Sequence, residues 1–250
     1  MIQSIAGGSR LLNQAVRQIL QTREGLLAKA LPLYVFWCTA DAAITVYFHG
    51  KLTSAPPPPN GPLGFWPAVL LEGAVALGFF VALGATVQRL FLGVDRGFQG
   101  ACQLAAYLRS VLLLALMLLL PFFALLASVI MVLKLAHGHN SLILRADFIA
   151  LTIVSAWLLL RLGLLLPAAA VGTTQVGLRE SWARTAPVGK ELFWIAVAIA
   201  IVDLTCGALT RSVEVHSSAA AALFDYAVWP IPFLVGLALS TDLYRTNMPS

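Results

Sequence analysis

The sequence predicts an all-α fold: a polytopic membrane helical bundle of about six transmembrane helices with an N-terminal interfacial amphipathic helix. Three observations lead to this prediction. Of the 250 residues, 60% are hydrophobic and only 11% are charged, whereas a soluble domain carries about 25% charged residues. The apolar residues gather into runs of the length that crosses a bilayer, which needs about 20 residues in a helix. The net charge of +5 is spread along the chain, so nucleic acid is not an expected partner.

The first predicted element is an amphipathic helix ahead of the apolar runs. Leu12, Val16 and Ile19 fall on one helical face, and Arg10 and Arg17 fall on the other. An apolar face beside a cationic one is typical of a helix lying in the membrane interface. A soluble amphipathic arm packed on the bundle is the alternative.

The apolar runs predict one membrane domain. Residues 1–28 form the amphipathic segment, and residues 29–250 form the six-span domain. The connections between spans are short, so no second domain is expected. The six predicted spans are 29–49, 65–88, 104–134, 148–171, 191–210 and 219–241.

The distribution of basic residues predicts the orientation. With the N-terminus inside, eleven of the 16 Lys and Arg residues fall on inner segments, four on outer loops and Arg161 within a span. Because cytoplasmic loops carry the excess of Lys and Arg, we expect both termini in the cytoplasm. The expected location is the bacterial cytoplasmic (inner) membrane.

Four ionisable residues within the spans form a predicted buried charge network: Arg161, Asp203, Asp41 and Glu72. A charge at the centre of a membrane helix costs roughly 2.5–3.5 kcal/mol, so it should face protein or water. At 1.5 Å per residue, Asp41 and Asp203 lie about 12 Å from the outer ends of their spans and Arg161 about 20 Å. An ion pair of Arg161 with Asp203 or Asp41 is therefore the first expectation. A ligand-binding or coupling role, and snorkelling of the guanidinium toward the inner headgroups, are the alternatives.

Small residues recur at four-residue spacing in the second span, at Ala74, Gly78 and Ala82. Such a row lets another helix approach closely. Packing within the bundle is the first expectation, and contact with a partner subunit is the second.

Catalytic and metal-binding signatures are missing from the sequence. It contains no G-x-S-x-G elbow, phosphate-binding loop, H-E-x-x-H pair or dinucleotide fingerprint. His49, His137, His139 and His216 fall at predicted outer ends or in outer loops, where solvated loop residues are expected rather than a metal site. The sequence therefore predicts no enzyme, no metal and no cofactor.

Several short segments resemble a known family. They are "RLFLGVDRG" at 89–97, "RLGLLLPAAAVG" at 161–172, "ESWARTAPVGKELFW" at 180–194 and "STDLYRTN" at 240–247. Their order resembles that in bacterial YciC-like proteins and in the membrane domain of some glycerophosphodiester phosphodiesterases. The resemblance covers roughly residues 65–247 and implies a compact helical membrane domain linked to envelope homeostasis. The matching positions are Arg161, Pro167, Ser181, Trp182, Thr185, Leu243, Tyr244 and Arg245.

Two functions are compatible with these features. The first is a non-enzymatic membrane protein that contacts membrane lipids, a larger membrane complex or a second copy of itself. The second is a transporter of a small solute, ion or proton, in which Arg161 and the acidic residues line the path. Charges sealed in dry protein favour the first, and charges lining an open cavity favour the second.

Overall fold

The fold comes from a computed structural model, which describes residues 2–54, 65–94, 101–135, 141–172, 176–214, 218–228 and 230–247. All the regular secondary structure in these ranges is helical, as predicted. The helices are α1 (Ile2–Gln21), α2 (Arg23–Gly25), α3 (Leu31–Ser54), α4 (Phe65–Leu92), α5 (Ala101–Leu135), α6 (Ser141–Leu162), α7 (Leu165–Val171), α8 (Leu178–Arg184), α9 (Gly189–Glu214), α10 (Ser218–Val228) and α11 (Pro230–Asn247), with a π-helical segment over Leu26–Ala30.

Five stretches are long and apolar enough to cross a membrane, and they correspond to the first, second, fourth, fifth and sixth predicted spans. The third predicted span falls on α5, whose described apolar stretch, Gln103–Leu119, is shorter. A sixth crossing therefore stays a prediction. The five stretches are Arg23–Ile44, Gly73–Leu92, Phe148–Val171, Gly189–Glu214 and Ala220–Asn247.

The main core lies at one end of the bundle, where α4 and α6 end and α9 begins. Side chains from α1, α4, α7, α9 and α11 meet there and exclude solvent almost completely. Farther from this end, large apolar side chains of α9 and α10 are exposed, as expected of helices that would face lipid. The fully or almost fully buried members of the core include Ala15, Val87, Phe91, Leu164, Leu192 and Leu239.

The predicted fourth span is broken near its inner end. Helix α6 ends at Leu162, and α7 begins only at Leu165. At the break, a Cβ on Gly163 would lie 3.1 Å from the Cβ of Ser240 on α11. Glycine therefore lets α11 approach the backbone closely at this point. As a result, Arg161 lies in the last turn of a helix and not in the middle of one.

Helix α1 packs against α9 and α11 and is part of the bundle. Ala15 is fully buried, and a Cβ on Gly7 would lie 2.8 Å from the Cγ of Glu191 on α9. Leu12 and Val16 are nevertheless exposed. The packing thus matches the alternative of an arm on the bundle, while a position in the membrane interface stays a prediction.

Because Ala15 of α1 is fully buried against the bundle, we predict that Ala15→Leu destabilises the protein by about 2 kcal/mol. Extra methylenes in a filled core force neighbouring atoms apart. The thermal unfolding midpoint in a mild detergent measures this change. Ala6→Leu is the matched control, since Ala6 is exposed on the same helix. Equal midpoints for the two variants would show that α1 is not docked on α9 and α11.

Candidate functional site

Four arginines at the core end of the bundle donate hydrogen bonds to carbonyl groups at the C-terminal ends of helices. The last carbonyls of a helix have no partner within it and carry partial negative charge, so a cation there is doubly favourable. We call this part of the protein, defined by these four residues, the arginine end. The bonds run from Arg89 to Ala170 (3.2 Å), from Arg161 to Trp182 (3.0 Å), from Arg184 to Asn247 (2.8 Å) and from Arg245 to Phe91.

Arg161 is the most completely enclosed of the predicted site residues. Its side chain is only 6% exposed. One guanidinium nitrogen donates to the carbonyl of Trp182, and the other donates to that of Thr185 at 3.4 Å. The guanidinium carbon lies 4.1 Å from the centre of the Trp182 ring and 5.6 Å from that of Trp157. A buried cation is thus satisfied by carbonyl dipoles and aromatic faces.

The backbone of Arg161 is held by the same segment. The hydroxyl groups of Ser181 and Thr185 donate to its carbonyl oxygen at 2.9 and 3.1 Å. Both hydroxyl-bearing residues are fully buried. The four residues Arg161, Ser181, Trp182 and Thr185, which the resemblance singled out in two separate segments, therefore meet at one place.

The predicted ion pair of Arg161 with Asp203 or Asp41 is wrong. Among the described residues, no carboxylate pairs with the guanidinium, whose bonds go to backbone carbonyls. Asp41 instead accepts a hydrogen bond from the hydroxyl of Tyr226, and Asp203 is exposed. The side chain of Glu72 lies outside the described residues. The depth calculation compared only positions along the helix axes, so it did not show which way each side chain faces or that the carbonyls at the end of α8 lie within reach of the guanidinium.

Two acidic residues of the predicted network, Asp203 and Asp41, line clefts that do not include Arg161. Asp203 and Asp225 line a cleft of about 700 Å³ between α6, α9, α10 and α11, together with Arg211. Asp225 also lines a smaller cleft of about 320 Å³ that includes Asp41 and Tyr226. In the described structure, the enclosed Arg161 is thus separate from Asp41, Asp203 and Asp225, which line open clefts.

The small-residue row on α4 does not pack within the described bundle. Ala74 and Gly78 are exposed, and Ala82 is partly buried. A Cβ on Gly78 would meet no described atom within 4 Å. The close approach is made instead at Gly84, where a Cβ would lie 2.6 Å from the hydroxyl oxygen of Tyr107 on α5. Ala74 and Gly78 therefore show no close packing among the described residues, and contact of the row with another helix, within the bundle or on a partner, stays a prediction.

A third cleft, at the arginine end, was not predicted. It has a volume of about 500 Å³ and lies between α1, α6 and the beginning of α9. Gly189 forms part of its wall, and any Cβ at this position would collide with the guanidinium of Arg161. The Nε1 of Trp157 donates to the Gly189 carbonyl at 3.1 Å, which fixes the first turn of α9 against α6. The lining residues are Ser4, Trp157, Arg161, Ala186, Gly189, Lys190, Phe193 and Trp194.

No protein-family model matches this chain, and no curated protein or solved structure matches it either. The likeness to YciC-like proteins therefore stays a prediction. Within the described side chains, no group of three or more His, Cys, Asp and Glu residues is placed to hold a metal ion. His137, His139 and His216, and the side chain of His49, lie outside the described residues.

Proposed function

We propose that this chain is a non-enzymatic, multi-pass protein of the bacterial inner membrane that acts through contacts with lipid or with a membrane complex. The observation that carries the proposal is the three-sided surface of α1. Ala15 faces the bundle and is fully buried, whereas Leu12 and Val16 are exposed. Arg10 and Arg17 are exposed on the third side.

A helix with these three surfaces suits a position in the membrane interface, parallel to the plane of the bilayer. The exposed apolar side would enter the boundary of the acyl chains, and the basic side would meet anionic headgroups. The bundle side fixes the helix to the spans, so the contact would be a permanent feature of the protein. In this arrangement the arginine end faces the cytoplasm, which agrees with the excess of basic residues on predicted inner segments.

The enclosed hydroxyl groups support a role without catalysis. Ser181 and Thr185 are fully buried, and both donate to the carbonyl of Arg161. A nucleophilic hydroxyl has to reach a substrate and a base. The Ser181 hydroxyl holds α8 against α6, and the single hydroxyl hydrogen of Thr185 is shared between the Arg161 carbonyl and two carbonyls of α8, so both groups are occupied by structural contacts. We therefore assign the protein to accessory or envelope-homeostasis functions, in line with its resemblance to YciC-like proteins.

A transporter is the second candidate, and the cleft lined by Asp203, Asp225 and Arg211 favours it. Ionisable residues in membrane helices usually face the bundle interior or a water-filled cavity and mark ion or substrate paths. Arg161 would have no part in such a path, since it does not line this cleft.

Native mass spectrometry of the full chain, extracted from its own membrane in a mild detergent, tests the first candidate. We expect lipid adducts or a reproducible co-purifying polypeptide. A bare chain, combined with proton or ion flux into liposomes that Asp203→Asn abolishes, would contradict the first candidate and establish the second. Asp242→Asn is the control for the flux measurement, because Asp242 does not line the cleft.

A further inference from the structure

We infer that the cleft lined by Arg161 and Lys190 binds a phosphate group, that of the headgroup of an anionic phospholipid. This inference rests on the proposed function and names the lipid class and the site of contact. We call the site the phosphate cleft; it is the one of about 500 Å³ between α1, α6 and α9. Its size lies within the range of about 300–1,000 Å³ that is usual for small-ligand sites.

Arg161 places a full positive charge at the wall of the cleft. The side chain is 94% buried and forms part of the cleft wall, yet no described carboxylate pairs with it. Its Nε atom is buried and has no hydrogen-bond partner among the described residues. Backbone carbonyls offer only partial negative charge. A phosphate in the cleft would therefore be attracted by the charge of the guanidinium while its terminal nitrogens stay bonded to α8, because the field of a buried charge is screened much less than that of an exposed one.

Lys190 adds a second positive charge at the same cleft. This residue is exposed, lies in the first turn of α9 and lines the same cleft. The N-terminal end of a helix carries partial positive charge and attracts anions. Two cations from different elements thus meet at the positive end of a 26-residue helix. The nearest acid along the chain, Glu191, packs against Gly7 of α1 and is not part of the cleft wall.

Part of the wall of the phosphate cleft is apolar and aromatic. Trp157, Phe193 and Trp194 line the cleft beside the two cations, and Phe193 is 41% exposed. Tryptophan is enriched at the level of lipid headgroups, where one side of the ring is apolar and the other is wet. A free phosphate ion would leave this apolar wall unused, whereas a phospholipid would cover it with its glycerol and first acyl carbons. The hydroxyl-bearing Ser4 of α1 also lines the cleft.

The test measures lipid retained by the full chain in nanodiscs that contain phosphatidylglycerol and phosphatidylcholine in equal parts. After detergent extraction, we expect native mass spectrometry to show phosphatidylglycerol retained preferentially. Lys190→Gln should reduce this retention about five-fold, since a basic residue near the surface contributes about that factor. Ala186→Phe, which fills the cleft at an exposed position and keeps both cations, should abolish it. Lys29→Gln, an exposed lysine outside the cleft, should not change it.

The remaining outcomes separate the possible sources of the phosphate group. In one such outcome, inorganic phosphate or glycerol 3-phosphate raises the unfolding temperature of the parent chain but not that of Lys190→Gln, and lipid is not retained preferentially. That result would keep the phosphate site but overturn the lipid source. Equal retention by the parent chain, Lys190→Gln and Ala186→Phe would overturn the site itself while leaving lipid contact elsewhere intact. A parent chain that retains neither lipid nor a polypeptide would overturn the proposed function as well.

Discussion

Replacing Arg161 with methionine is expected to destabilise the protein by about 3 kcal/mol. The substitution keeps the length of the side chain but removes both donors, so the carbonyls of Trp182 and Thr185 are left without them. Hydrogen bonds to charged groups contribute about 1.5–3 kcal/mol each, and leaving buried partners unsatisfied adds a desolvation cost. The loss of the cation between Trp157 and Trp182 acts in the same direction. Denaturant unfolding in mild detergent, followed by tryptophan fluorescence, measures the change.

Two further variants show whether the guanidinium itself is needed. Arg161→Lys keeps the charge but not the forked geometry, so it should recover only part of the stability. Arg179→Met is the matched control, because Arg179 is exposed on the same helix α8 that Arg161 contacts. Unfolding free energies that agree within about 0.5 kcal/mol for Arg161→Met and Arg179→Met would contradict the capping role.

Replacing Gly163 with alanine is expected to cost about 2 kcal/mol. The added Cβ would lie 2.9 Å from the carbonyl oxygen of Leu159 and 3.1 Å from the Cβ of Ser240. Ser240 is buried, and its hydroxyl accepts a hydrogen bond from Gln88 at 3.2 Å. Moving α11 away to make room would weaken that bond as well, and overpacking alone costs about 1–3 kcal/mol. The same unfolding measurement reports it.

Gly236→Ala provides the comparison for Gly163→Ala. Gly236 also lies in a stretch long and apolar enough to cross a membrane, on α11, but a Cβ there would meet no described atom within 4 Å. Alanine has the higher helix propensity by about 1 kcal/mol, so this variant should be as stable as the parent or more so. If Gly163→Ala behaved in the same way, the close contact between α11 and the end of α6 would be absent.

The helical architecture was predictable because it depends on long apolar runs, which the sequence displays directly. The break between α6 and α7 was not, since Gly163 interrupts an apolar run without changing its hydropathy. Leucines and alanines continue on both sides of it. Only the position of Ser240 on a distant helix shows why glycine is needed there. A contact between residues 77 positions apart leaves no local signal.

The close approach at Gly84 on α4 was not predictable for a related reason. Ala74, Gly78 and Ala82 have regular spacing, and Gly84 lies outside that series. Spacing shows which residues share a face, but it does not show which face another helix covers. Helix α5 covers the face of Gly84, where the hydroxyl of Tyr107 takes the available space.

The candidate site was predictable in part. Arg161 stood out because a permanent cation in an apolar run needs a partner. Its partners were not predictable, since backbone carbonyls are present at every residue and become acceptors only where a helix ends. Nothing in the sequence distinguishes Lys190 from the other basic residues on the predicted inner segments. Its importance follows from the packing of α9 beside α6, which places it on the same cleft as Arg161.

A double-mutant cycle that measures the coupling free energy between Arg161 and Asp203 shows which group satisfies the buried guanidinium. In the structure, Arg161 is satisfied by α8 and by no described carboxylate. We therefore predict that the effects of Arg161→Met and Asp203→Asn on the unfolding free energy add within about 0.5 kcal/mol, as for distant sites. A cycle with Trp182→Leu should instead show coupling above that value. If Asp203→Asn restored the stability lost in Arg161→Met, the two residues would form a buried ion pair, and the arrangement described for the arginine end would be contradicted.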